Sequence, residues 1–438
     1  MIRIQNRLIM QKEEREQIIA LIQREVVPAI GCTEPIAVAL CVARATELLG
    51  CKPEKISLLL SANILKNAMG VGIPGTGMIG LPIAIALGAI IGKSAYGLEV
   101  LKECCPEAVN RGKQYIEEGR IDIALKEGID EKLYIEAHCT AEGKESEAVI
   151  AKAHTNFIFL RRNDEILTDN RGTEGKCTDK QEEQVELNMR KVYDFAVTSP
   201  IEEISFILEA RRLNKAAAEE SFKQDYGHGL GQAIRRPMKT PVVGDSIFSH
   251  ILAYTSGACD ARMAGAMIPV MSNSGSGNQG IAATMPVVIY AEDTHKSEEQ
   301  LIRALILSHL TVIYIKQSLG RLSALCGCVV AATGSSCGIT YLMGGTYEQI
   351  TYAVKNMIAN ITGMICDGAK PSCAMKITSG VATAVFSALL AIENKWVTAV
   401  EGIIDNDVDQ CIQNLTRIGS SGMDHTDSLV LDIMTHKK

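Results

Sequence analysis

Five of the fourteen cysteines fall between Cys326 and Cys373. They occupy Leu325-Cys-Gly-Cys328, Gly334-Ser-Ser-Cys-Gly338 and Cys366-Asp-Gly-Ala-Lys-Pro-Ser-Cys373, where the glycines predict tight turns able to wrap backbone around something compact. A thiol-only set with no histidine nearby suits a soft metal, an iron–sulfur cluster first of all. The spacings Cys326-x-Cys328 and Cys366-x6-Cys373 match no zinc knuckle and no common ferredoxin run, so spacing alone names no metal and leaves both Cys326 and Cys328 open as ligands. Free cysteine is also among the most buried residue types, and a close-packed core would use the same glycines. Asp367, Lys370 and Lys376 favour a site, because a purely structural core loop seldom carries that much charge.

Further chemistry-bearing residues lie upstream. In Gly31-Cys32-Thr33-Glu34-Pro35, Thr33 and Pro35 mark the start of a helix through Leu49, placing Cys32 at a helix N-terminus. Free N–H groups and the helix dipole would there favour its thiolate, the form that binds metal or acts as a base; the plain alternative is a small buried residue. The polar run Ser272-Asn-Ser-Gly-Ser-Gly-Asn-Gln279 is flanked by apolar segments, and Ser272, Asn273, Ser274 and Asn278 offer donors for a substrate carboxylate. Arg262 and Lys376 are its candidate cationic partners, against the alternative of structural ion pairs. His228, in Tyr226-Gly-His-Gly-Leu-Gly231, is the histidine with a glycine-rich setting and the candidate general base, although a lone histidine is more often structural. The glycines of Gly70–Gly77 have neither dinucleotide-loop nor Walker spacing, which argues against a phosphate site there.

The elements that must position these residues divide near residue 185. Before it, an amphipathic helix spans 11–27, a short strand begins at Ile56, and alternation from Lys132 to Arg161 predicts a small antiparallel meander. The polar stretch 168–184, containing Cys177, reads as a linker or surface excursion. After it the chain is strongly helical, with start signals at Ser199-Pro200, Ser297…Gln300 and Thr346…Gln349. Helices opened by Ser297 and Thr346 would end just ahead of Cys326 and Cys366 and aim both loops at one place. The expected fold class is therefore α+β: an N-terminal α+β domain, 1–185, and a mostly helical catalytic domain, 186–438.

With 438 residues the chain is long enough to bury a site, and a net charge of −7 with scattered lysines and arginines argues against nucleic acid and for a small-molecule substrate. The N-terminus lacks the apolar core of a signal peptide, so a cytoplasmic enzyme with reduced thiols is expected. The uncharged runs 67–92, 263–291 and 325–347 are broken by glycine and polar residues and are expected to be buried rather than membrane-spanning. A homo-oligomer is the default for a metabolic enzyme of this size.

Taken together, Gly31-Cys32-Thr33-Glu34-Pro35, Ser272-Asn-Ser-Gly-Ser-Gly-Asn-Gln-Gly280, Cys326 and Cys366…Cys373 resemble the motifs of the L-cysteine desulfidase family, relatives of the bacterial iron–sulfur L-serine dehydratases. The resemblance extends over essentially the whole chain. It implies a [4Fe–4S] cluster held by Cys326, Cys366 and Cys373 with one iron open to substrate, and Cys32 as fourth ligand or acid/base group. It also implies β-elimination of L-cysteine to pyruvate, ammonia and sulfide without pyridoxal phosphate, for which no lysine here has a phosphate-cup context. L-Serine is the near alternative as substrate, and a non-catalytic iron–sulfur or redox-sensing protein is the alternative from another class.

Overall fold

Two apolar cores organise the chain. One is built from residues between Ile36 and Leu160 and the other mainly from residues between Leu187 and Leu415. The computed structural model describes residues 10–129, 131–172, 185–236, 243–320 and 323–436. Cys177 and the stretch 173–184 lie outside them.

The first core lies between a sheet and helices, giving the α+β class. Six strands run in the order Ile121–Leu125, Lys55–Leu60, Tyr134–Ala141, Lys144–Ala151, Phe157–Arg162, Glu165–Asp169. The expected meander forms its centre, and the sheet extends beyond it on both sides. The pairing of Lys55–Leu60 with Ile121–Leu125 is parallel and the other four are antiparallel. Period-2 alternation turns Ile56, Leu58 and Leu60 toward the helices Thr33–Leu49 and Leu81–Ile90, which are apolar enough to be buried almost all round.

The second core is helical. The capping boxes at Ser297/Gln300 and Thr346/Gln349 are both formed, opening Glu298–Leu319 and Tyr347–Ile361. At Ser199-Pro200 the helix begins one residue later, at Ile201. The Gly334–Gly338 segment, expected as a turn, lies inside the helix Gly327–Leu342. Its glycines serve close packing: a Cβ on Gly334 would come within 2.4 Å of the Ser308 carbonyl, and one on Gly338 within 2.7 Å of Val287. Cys337 is accordingly a fully buried packing residue.

Ile18, Leu21, Ile22, Val26 and Cys32 join this second core. The first helix, Lys12–Glu25, therefore packs with the C-terminal helices, across the expected boundary near residue 185. The chain then crosses to the sheet through a three-residue strand, Pro28–Ile30, paired antiparallel with Pro269–Met271.

Candidate active site

Cys326 and Cys366 are joined by the smallest possible sheet. Leu325 and Ile365 form an antiparallel bridge, the Cys326 N–H donates to the Met364 carbonyl at 2.9 Å, and the Cys366 N–H donates to the Ala324 carbonyl at 2.6 Å. Cys326 is the N-cap of Gly327–Leu342, and Cys373 is the first residue of the helix Cys373–Ile392. The loop between Cys366 and Cys373 is held from within. Lys370 donates to the carbonyls of Asp367 and Gly368 at 2.9 and 3.1 Å, and Lys376 donates to the Ile365 carbonyl at 2.9 Å and to the Asp367 carboxylate. Burial alone would raise Asp367, but the two lysines outweigh it and hold its carboxyl at about 2. Gly368 has φ +88°, and a Cβ there would come within 2.2 Å of the Lys66 carbonyl, so only glycine lets this loop rest on the Ala62–Ala68 helix.

Opposite the cysteine loops stands a wall drawn from both halves of the sequence. The ladder between Pro28–Ile30 and Pro269–Met271 brings Cys32 beside Arg262, Asn278 and Gln279. Arg262 is 3% exposed and donates through Nη2 to the Gly31 carbonyl at 2.9 Å and through Nη1 to Asn278 Oδ1 at 3.0 Å. Its Nε has no partner, and neither does Oε1 of the buried Gln279. Gly277 makes room for the guanidinium, since a Cβ there would lie 2.2 Å from Nε. A buried cation satisfied by neutral oxygens, with one N–H unused, is costly unless an anion completes it.

Between these walls is a cavity of about 110 Å³, lined by Cys32, Cys326, Cys328, Cys366 and Cys373 together with Glu34, Asn67, Arg262, Asn278, Gln279 and Lys376. Cysteines in the described residues are free thiols. Burial pushes Cys326 up to about 12, with neighbouring Cys366 adding to the effect, and burial likewise raises Cys373. Cys32 also differs from the expectation of a thiolate: burial first and then the adjacent Glu34 push it well above the ordinary thiol range, and Sγ donates to Glu34 Oε2 at 2.9 Å. The dipole of one helix end, worth about 0.3–1 kcal/mol, does not offset burial next to a carboxylate. The donor set, sulfur from two loops with a further cysteine facing them and no histidine in the lining, fits an iron–sulfur cluster.

Among the residues singled out from sequence, Cys32, Arg262, Asn278, Cys326, Cys366, Cys373 and Lys376 meet in this cavity. The structure places Ser272, Asn273, Ser274 and His228 elsewhere. Ser272 Oγ donates to the Val27 carbonyl at 2.6 Å, Asn273 Nδ2 donates to Nδ1 and the carbonyl of His309 at 3.0 and 3.1 Å, and Ser274 Oγ donates to Asn273 Oδ1 at 2.8 Å. Their polar groups are used in sewing the loop to its neighbours. His309, buried against Asn273 and Thr284, is pushed down to about 3 by burial and is neutral. His228 is exposed, in the turn before the helix Leu230–Arg235, whose Gly231 N–H donates to the buried Asp260 carboxylate at 3.1 Å. Burial raises Asp260 to about 6. Glu34, Asn67 and Gln279 were given no role from sequence; Glu34 and Gln279 stand inside the quoted motifs, while nothing in the chain's pattern marks Asn67.

A second group of ligand-type side chains lies on the outer sheet face. Glu136, His138 and Glu147 offer atoms within 4.8 Å of one another. Each is already paired: Glu136 with His138 and Lys126, both at 2.8 Å, and with Tyr134, and Glu147 with Arg161 at 3.2 Å.

The sequence of residues 95–432 matches the family model described as serine dehydratase alpha chain. A UPF0597 protein of Bacteroides fragilis is 71% identical over 428 residues, covering 98% of this chain and 100% of the relative. UPF0597 proteins of Porphyromonas gingivalis and Oleidesulfovibrio alaskensis are 56% and 46% identical, each over 98% of this chain and 100% of the relative.

Proposed function

Because the chain belongs to the serine dehydratase alpha chain family, we propose that it is a lyase acting on a small β-substituted L-amino acid, with L-cysteine as the substrate and pyruvate, ammonia and sulfide as products. The observation that carries this reading is the convergence of Cys326, Cys366 and Cys373 on one cavity with a buried, incompletely partnered Arg262. Cys326, Cys366 and Cys373 would hold a [4Fe–4S] cluster, with Cys32 facing it. When bound, a cluster with one iron open supplies a Lewis acid that accepts the leaving group, and a thiolate is the leaving group best matched to it.

The protein's own groups divide the remaining work. Arg262, Asn278 and Gln279 line one wall of the cavity, and we assign to them the substrate carboxylate and its orientation. The Cys32 Sγ–Glu34 Oε2 pair holds one proton inside the cavity, and we assign to it the exchange of a proton at the substrate's α-carbon. Lys376, tied to Asp367 and to the Ile365 carbonyl, keeps the Cys366 loop seated against Cys326. After elimination the released aminoacrylate becomes imine and takes up water to give pyruvate and ammonia. L-Serine is the second reading, favoured by the description of the matched family.

The test is anaerobic purification and reconstitution with iron and sulfide, followed by assays of sulfide and pyruvate from L-cysteine and of pyruvate from L-serine. The expected result is a coloured iron–sulfur protein with the larger kcat/KM on L-cysteine. Pyruvate from L-serine without sulfide from L-cysteine would reassign the substrate. Full sulfide release by colourless, iron-free protein would remove the cluster from the proposal.

A further inference from the structure

The helix Cys373–Ile392 carries no charged side chain between Lys376 and Glu393. Among the described residues it is the one helix long and apolar enough to pass for a membrane span, and its inner face, including Ile377, Val381, Ala384 and Ala388, is buried in the helical core. Among the described residues nothing covers the outer face: Phe386 is 53% exposed, Leu389 49%, Met375 48% and Leu390 45%. Phe248 lies against Phe386 with ring centroids 5.3 Å apart and widens the apolar surface. A helix at a protein surface normally presents a polar outer face, so an apolar one is expected to be covered. Its outward positions 375, 379, 382, 386, 389 and 393 alternate steps of four and three, the spacing of a two-helix seam.

We propose that this stripe is an isologous interface, pairing antiparallel with the same stripe of a second copy of the chain about a two-fold axis near Ala382. Size supports that orientation. Antiparallel pairing about Ala382 sets Phe386 of one copy over Thr378 and Ser379 of the other and Met375 near Leu389, so each Phe386 meets small side chains. Parallel pairing would stack Phe386 on Phe386 and leave Ser379 facing Ser379.

The helix dipoles support it as well: antiparallel pairing sets the N-terminal end of each helix beside the C-terminal end of the other, whereas parallel pairing joins like ends. About half of four large side chains, with their neighbours, comes to roughly 500 Å² per copy and about 1,000 Å² for the pair, the lower bound of a specific interface. A lipid surface fits less well, since the chain's net charge is −7 and no basic residue lies on the stripe between its two ends.

The proposal is independent of the substrate reading. Its test is the mass of the full-length protein by size-exclusion chromatography with light scattering, for wild type, Phe386→Asp and Ser379→Arg. Wild type is expected at twice 47.3 kDa. Each variant should raise the dimer dissociation constant by roughly 100-fold or more and keep the wild-type circular dichroism. Ser379→Arg guards against misfolding of Phe386→Asp, because it adds bulk at an exposed position without removing a packed group. Mild oxidation of Ala382→Cys should give a 382–382 linked peptide by mass spectrometry. A monomeric wild type, a dimer unaffected by both variants, or wild type that sediments with phosphatidylcholine–phosphatidylglycerol vesicles through Phe386 would overturn the proposal.

Discussion

The molecule holds two clusters of residues able to bind metal, and they differ in what is left over. On the outer sheet face, Glu136, His138 and Glu147 lie close together, but Lys126, Tyr134 and Arg161 already answer the two carboxylates. In the cavity, Arg262 Nε and Gln279 Oε1 are buried without partners, and free thiols face a common space. Residue type and proximity are shared by both clusters. The cavity alone keeps unspent hydrogen-bonding and ligand capacity, and that capacity is what distinguishes a site from a self-contained ion-pair network.

The largest expected effect separates the clusters by metal content. Cys366→Ala should abolish iron retention and turnover after anaerobic reconstitution, whereas Glu136→Gln should leave both unchanged. Equal iron content in the two variants would erase the distinction. Next in size, Arg262→Lys keeps the charge but loses the forked N–H groups, so kcat/KM should fall roughly 10- to 100-fold while the fold is retained. A kinetically silent Arg262→Lys would make that residue as self-contained as the sheet cluster.

The smallest effect is on stability. Burial would raise Glu136, but His138, Lys126 and Tyr134 together hold it at about 2. A carboxylate depressed in the fold adds stability above its unfolded value near 4.3, and that contribution is lost as pH falls toward 2. Because solvent screens this network, Glu136→Gln should cost on the order of 1 kcal/mol at pH 7 and little near pH 2, measured by urea unfolding across that range.

The cysteines were legible in the sequence because rare residues bracketed by glycine and charge leave few alternatives. The partner of each loop was not. Cys326 meets Cys366 through a single bridge, Leu325 to Ile365, and Cys32 reaches Arg262 through a three-residue ladder, both too short to leave any alternation. Ser272, Asn273 and Ser274 read as ligand donors because polarity between apolar runs looks functional; their acceptors are the Val27 carbonyl, His309 and one another, which no local pattern records. Amphipathicity likewise predicted that the first helix buries a face, and it could not say that the face would be buried among helices after residue 187. The helical half was easier to read because its start signals at Ser297 and Thr346 are local.

The pairing of Pro28–Ile30 with Pro269–Met271 also sets a clock. On a ribosome adding about 5–20 residues per second, roughly 10 to 50 s separate the synthesis of the two strands. During that interval the sheet core can close, since its members all lie between Ile36 and Leu160, while Cys32 and the first helix wait for core members made from Leu187 onward. The cavity can be completed only after Cys373 has been made. Iron would then enter a nearly finished chain, and the nascent N-terminal helix, with Ile18, Leu21 and Ile22 still uncovered, is the segment with the longest wait for its partner.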